Sequence, residues 1–129
     1  MLQLKNVKYP VINSRINIPT NKTVTIESGF SVQVRYNEEE KRMMSVLEVN
    51  CTCNEHPEWF NIVIQVMGVF VCDDLDTEEK KKNAHIESYK ELFPFVQSVI
   101  LELTTKAGVK SFFLEKEKID ASQVEISEH

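Results

Sequence analysis

Trp59-Phe60-Asn61-Ile62-Val63-Ile64-Gln65-Val66-Met67-Gly68-Val69-Phe70-Val71-Cys72 is the stretch on which the fold turns. Its even side, Phe60, Ile62, Ile64, Val66 and Phe70, is apolar apart from Gly68, while its odd side mixes Trp59, Val63, Met67, Val69 and Val71 with Asn61 and Gln65. Successive side chains of a strand point to opposite faces. A segment apolar on one side and half-apolar on the other therefore predicts a strand interior to its sheet, partly covered on both faces.

Upstream of it, Asn54-Glu55-His56-Pro57-Glu58 reads as a turn. Met43, Leu47, Val49, Cys51 and Cys53 line one side of a second strand. Glu38-Glu39-Glu40-Lys41-Arg42 makes a solvated hairpin turn, and Phe30, Val32, Val34 and Tyr36 form the apolar side of a third strand. Three strands with short connections predict an antiparallel meander. Leu2, Leu4 and Val7 suit a further strand, and Val24 and Ile26 continue the alternation. Pro10 and Pro19 cannot donate to a ladder, which puts that strand at an edge.

Beyond Asp73 the period changes. Asp76-Thr77-Glu78-Glu79 reads as a helix start with Asp76 as the cap, and a short polar helix is expected to run to about Lys90. Pro94 suits the first position of a second helix, where its missing N–H would be unpaired anyway. Phe95, Val96, Val99, Ile100, Leu103 and Ala107 then fall on one stripe, and Gly108 supplies a left-handed terminus. Val109 to Leu114 reads as a last strand, and Asp120 to His129 as a tail that gains order only by docking. The domain expected is residues 1–119, with 120–129 as the tail. The fold class is α+β, a four-stranded antiparallel sheet in Greek-key or meander order with a long helix packed on it.

The 129 residues suffice for one domain with its own core. Hydrophobic residues at 42% and charged residues at 27%, with three glycines and four prolines, exclude collagen-like and wholly disordered chains. No apolar run approaches a membrane span, and no basic-then-apolar leader follows Met1, so neither membrane nor export is expected. A net charge of −5 argues against nucleic acid as partner. Cys51, Cys53 and Cys72 are an odd set, read as reduced thiols in the cytoplasm.

Catalytic signals are weak. Cys51-Thr52-Cys53 near His56 lacks the second ligand pair of a zinc site, and no metal or cofactor is expected. His56, His85 and His129 are isolated, and Cys72 with His85 lacks an orienting third group. The chain is not read as an enzyme. Contact chemistry is richer: Trp59, Phe60, Phe70, Phe93 and Phe95 concentrate around the long strand and the helix start, and serve either a core or a polypeptide-binding surface. Gln97, Ser98, Leu101, Thr104 and Thr105 are read as the back of the second helix, without charge. That face is either solvated or packed against another subunit, and the five residues are the candidate interface.

Gly68-Val69-Phe70, a polar stretch containing Asn83, Leu92-Phe93-Pro94-Phe95, a helix and Gly108 follow an order that resembles the SecB family of protein-export chaperones. Leu92-Phe93-Pro94-Phe95 is similar to the family's Leu-Phe-Pro-Tyr, and the resemblance spans roughly Phe30 to Leu114. It implies the Greek-key sheet and long helix, assembly into a homo-oligomer (dimer or tetramer) with helices between layers, and binding of unfolded or partly folded polypeptide without nucleotide hydrolysis. Apolar grooves in acidic surroundings would admit basic clients. Handover to SecA, or service to one dedicated partner in a toxin–antitoxin or phage setting, follows as an implied role. Gln97 stands where the family often has Arg, the family's Leu-Pro-Pro segment is replaced by Leu114-Glu115-Lys116-Glu117-Lys118-Ile119, and its C-terminal helix has no counterpart in Asp120 to His129. Two other readings stand beside it: an interaction protein gripping one folded partner, and a small ligand-binding domain with a pocket beneath the helix at Cys72 and His85.

Overall fold

The computed structural model describes residues 2–37, 39–72, 75–110 and 127–128. Four long strands, β1 (Leu2–Ile16), β2 (Glu27–Asn37), β3 (Arg42–Thr52) and β4 (Phe60–Cys72), precede one helix, α1 (Glu78–Ala107), and a two-residue strand β5 (Ser127–Glu128). The sheet order is β1-β4-β3-β2-β5. Strands β2 to β4 form the expected meander, and β1 returns to lie antiparallel beside β4, which is Greek-key order. β5 pairs in parallel with β2 at Arg35 and Tyr36.

The alternation in β4 dictates the layering. Phe60, Ile62, Ile64, Val66 and Phe70 are buried, with Met43, Leu47, Val49 and Cys51 of β3 and Val34 and Tyr36 of β2 on the same face. β1 lies at the sheet edge, and its register slips between Leu4 and Asn6 and again between Lys8 and Val11. The second slip contains Pro10, whose missing N–H an edge bulge tolerates. Val24 and Ile26 belong to the connection before β2 and are half-buried there. At the β2–β3 turn the Glu40 N–H donates to Asn37 Oδ1 (3.2 Å), and Lys41 adopts a left-handed φ of 54°.

One helix stands where two are expected. Ala84, Ser88, Leu92, Val96, Ile100 and Thr104, each four residues from the last, are all buried, so one ridge runs unbroken through the Pro94 turn. Pro94 and Lys90 are exposed, so the carbonyl deprived of its partner faces water. A helical proline costs about 3 kcal/mol. Burying Leu92, Phe93, Val96 and Ile100, at about 1.5–3 kcal/mol each, outweighs that. The cap also moves by one residue: Thr77, in extended conformation, accepts from the Lys80 N–H (3.2 Å), and Asp76 instead holds the Lys80 ammonium (2.9 Å). Gly108, at φ 73°, ends the helix as expected.

Helix and sheet pack tightly at Gly68. A Cβ there would lie 2.8 Å from Leu92 Cδ2 and 2.9 Å from Phe70 Cε1. The expected strand Val109 to Leu114 lies outside the described residues beyond Lys110, as does the tail from Asp120 apart from β5.

Candidate polypeptide-binding surface

The sheet's two faces are unequally furnished. In antiparallel pairing, directly opposed residues share a face. Met44 opposes Val69, Val46 opposes Met67, and Asn50 opposes Val63, so these side chains lie on the face away from α1, together with Val71 opposite Arg42. The apolar members, Met44, Val46, Val63, Met67, Val69 and Val71, are half-buried. Among the described residues no element packs over them: α1 lies on the other face, where Ser88 meets Ser45 and Leu92 meets Gly68. The odd side of Trp59 to Cys72 foreshadows this strip. Met44 and Val46 escape the sequence reading, although their two-residue spacing is the same signal on β3's second side.

Three of the five expected binding rings belong to the core instead. Phe60, Phe70 and Phe93 are buried at 1%, 0% and 7% exposure. Phe93 packs edge-on to Tyr89 (5.8 Å), which stacks on Phe30 (5.0 Å). The reason is register: Phe60 and Phe70 sit on the even side of β4, beneath the helix. Trp59 and Phe95 remain half-buried. Trp59 closes the β3–β4 turn, where its N–H donates to the His56 carbonyl (2.9 Å) and its ring stacks on the His56 imidazole (3.7 Å).

On α1, Leu101 is 54% exposed, Ser98 and Thr105 are exposed, and Gln97 is half-buried. Thr104 does not share their surface. It is buried in the lone chain and its hydroxyl donates to the Ile100 carbonyl (2.8 Å). The buried stripe follows four-residue steps from Ile100 to Thr104, a rotation of only about 40°.

Polar groups lie on the covered face. Ser88 Oγ is 2.7 Å from the His85 carbonyl and 2.9 Å from Ser45 Oγ. With one proton per hydroxyl, Ser88 donates to the carbonyl and accepts from Ser45. Tyr36 donates to the Lys81 carbonyl (2.7 Å), and burial pushes its phenol up to about 12. His85 is buried, its Nδ1 has no hydrogen-bond partner, and desolvation lowers its pKa. Cys72 is buried as well. Cys51 and Cys53 are buried free thiols, and burial holds the Cys51 thiol up at about 11, against the thiolate a metal or an electrophile requires. His56 Nδ1 lies 3.3 Å from Glu58. Among the described residues no three His, Cys, Asp or Glu converge as metal ligands, and no helix is long and apolar enough to cross a membrane.

The fold and this surface define a class: an α+β protein with one long amphipathic helix on one face of a Greek-key antiparallel sheet and, on the other, an apolar strip that no described element covers. The family model described as Preprotein translocase subunit SecB matches residues 3–124, and the chain belongs to the SecB family. It is similar to the protein-export protein SecB of Orientia tsutsugamushi strain Boryong, 26% identical over 104 residues that cover 81% of this chain and 57% of that protein. The strain Ikeda protein matches at 26% over 104 residues, covering 81% and 56%. The chain thus spans a little over half the length of these relatives. In fold it is similar to the Mycobacterium tuberculosis Rv1957 SecB-like chaperone, solved in complex with a ChAD peptide from the HigA1 antitoxin, with TM-score 0.71, 12% identity, and 88% and 86% of the two chains covered.

Proposed function

We propose that this protein is a holding chaperone that binds apolar segments of unfolded or partly folded polypeptides on the open face of its sheet, without nucleotide hydrolysis. The observation that carries the reading is the half-buried strip Met44, Val46, Val63, Met67, Val69 and Val71, with no described element over it. Apolar area that the fold leaves open gains about 25 cal/mol per Å² when a client covers it. Trp59 at the β3–β4 turn and Phe95 on the helix flank extend the contact chemistry of the binder. Gln97, Ser98, Leu101 and Thr105 form the contact between copies in a cytoplasmic dimer or tetramer, where Leu101 loses its exposure.

Light-scattering mass measurement combined with an aggregation assay on an unfolded client tests this. The expected result is an oligomer that suppresses aggregation, with suppression lost in Met67→Gln/Val69→Thr while the melting temperature holds. A monomer that leaves aggregation unchanged would overturn the reading. A second reading has a specific observation in its favour, the antitoxin peptide bound by the Mycobacterium tuberculosis neighbour. Here the same face serves one dedicated partner. Recovery of one stoichiometric partner and no unfolded clients from a pull-down would favour it, as would a toxin locus beside the gene; an export locus would favour handover to SecA.

A further inference from the structure

The open face carries a local excess of basic side chains. Register places Arg35 beside Met44 and Arg42 beside Val71, while Lys8 lies opposite Met67 and Arg15 opposite Asn61. All four basic residues are exposed. The acids that share this face are Glu48, which accepts from Gln65 Nε2 (2.9 Å), and Glu27, which accepts from Asn54 Nδ2 at the far end. Among the described residues none of the four basic side chains has a carboxylate at ion-pair distance, although Glu39 and Glu40 stand in the neighbouring turn. Four cations against two engaged acids leave this face locally basic among the described residues.

Resting on the polypeptide-binding reading above, we propose that the open face selects extended segments whose apolar residues are flanked by Asp or Glu. This reverses the preference for basic clients that net charge alone predicts. Lys8 on β1 and Arg35 on β2 are separated by the two strands that carry the apolar strip. Three strand spacings are about 14 Å. An extended segment rises about 3.3 Å per residue, so acids about four to five residues apart, with apolar residues between them, reach both cations across the strip. Exposed charge pairs contribute little each and are screened by salt, so the effect is selection among apolar segments and not the source of binding.

Fluorescence anisotropy of the full-length protein with three labelled peptides tests this. The peptides share one apolar core and differ in flanks of Glu, Gln or Lys. The expected order is Glu tighter than Gln tighter than Lys, with about five-fold between the extremes at low salt, shrinking toward equality at 0.5 M salt (on the order of a 4 Å Debye length). In Lys8→Gln/Arg35→Gln/Arg42→Gln, which changes exposed side chains only, the order collapses while the Gln-flanked peptide keeps its affinity. Lys-flanked peptide binding as tightly as the Glu-flanked one, or an order that survives the triple variant, overturns charge selection and leaves polypeptide binding standing. Failure of all three peptides to bind overturns both. Peptide binding that emerges only on dilution to monomers assigns the face to a second copy, and overturns the proposal too.

Discussion

Strand β4 contributes alternate residues to two faces that solve different problems. On the covered face Ile62, Ile64, Val66 and Phe70 are removed from water completely, and even the polar residues there, Ser45 and Ser88, bond to one another. On the open face Val63, Met67, Val69 and Val71 stop at half burial, with exposed cations and the Glu48–Gln65 pair among their neighbours. Neighbouring residues of one strand thus differ in what their removal should do: stability is concentrated on one side, and contact with other molecules falls to the other.

Truncation across the strand is the most forceful test of that division. Phe70→Ala is expected to cost about 3–5 kcal/mol, because a fully buried ring is lost and a cavity remains. Met67→Ala, three residues earlier on the open face, is expected to cost under about 1 kcal/mol. Urea unfolding measures both. Equal losses would mean that something covers the open face in the folded chain, and the contrast would be gone.

Gly68→Val probes how tightly the covered face is closed. The new Cβ meets Leu92 and Phe70 below 3 Å, and both are fully buried, so their side chains have little room to retreat. Overpacking of this kind costs about 1–3 kcal/mol. A variant that melts with the parent would show that the helix rides on the sheet loosely, and the covered face would then be less distinct than its burial suggests.

Most of this division is legible in the residues themselves. The even side of β4, the matching sides of β2 and β3, the edge position of β1 and the Gly108 terminus follow from two-residue alternation and from proline and glycine chemistry, which are local. What the sequence conceals is tertiary. Pro94 reads as a helix start, yet the ridge from Ala84 to Thr104 carries the helix through it, because burial along four residues outweighs one lost hydrogen bond. Thr104 reads as part of the helix's back, yet a stripe in four-residue steps takes it inside. Phe60 and Phe70 read equally as core or as binding surface until the helix is known to lie on the even side. The cations of the open face are scattered over β1, β2 and β3, and only the register gathers them.

The mildest test concerns the buried imidazole of His85 on the covered face. His85 is buried with Nδ1 unpartnered, and desolvation holds its pKa below the usual 6.5. The folded chain therefore binds fewer protons than the unfolded chain wherever the pH lies between those two values, and stability rises with pH through that interval. The stabilising difference is complete above about pH 6.5 and is lost as the pH falls from there toward the folded-state pKa. Lys81, one turn away on the same helix and itself buried, adds no counter-charge for an imidazolium. Melting curves between pH 7.5 and pH 5 should fall by a few degrees in the parent chain. In His85→Leu the slope should flatten, with stability at pH 7.5 unchanged or slightly higher, since an unpaired polar atom has been removed. An acid slope that persists undiminished in His85→Leu would place the titrating group elsewhere, and the covered face would then be as indifferent to protons as an all-apolar core.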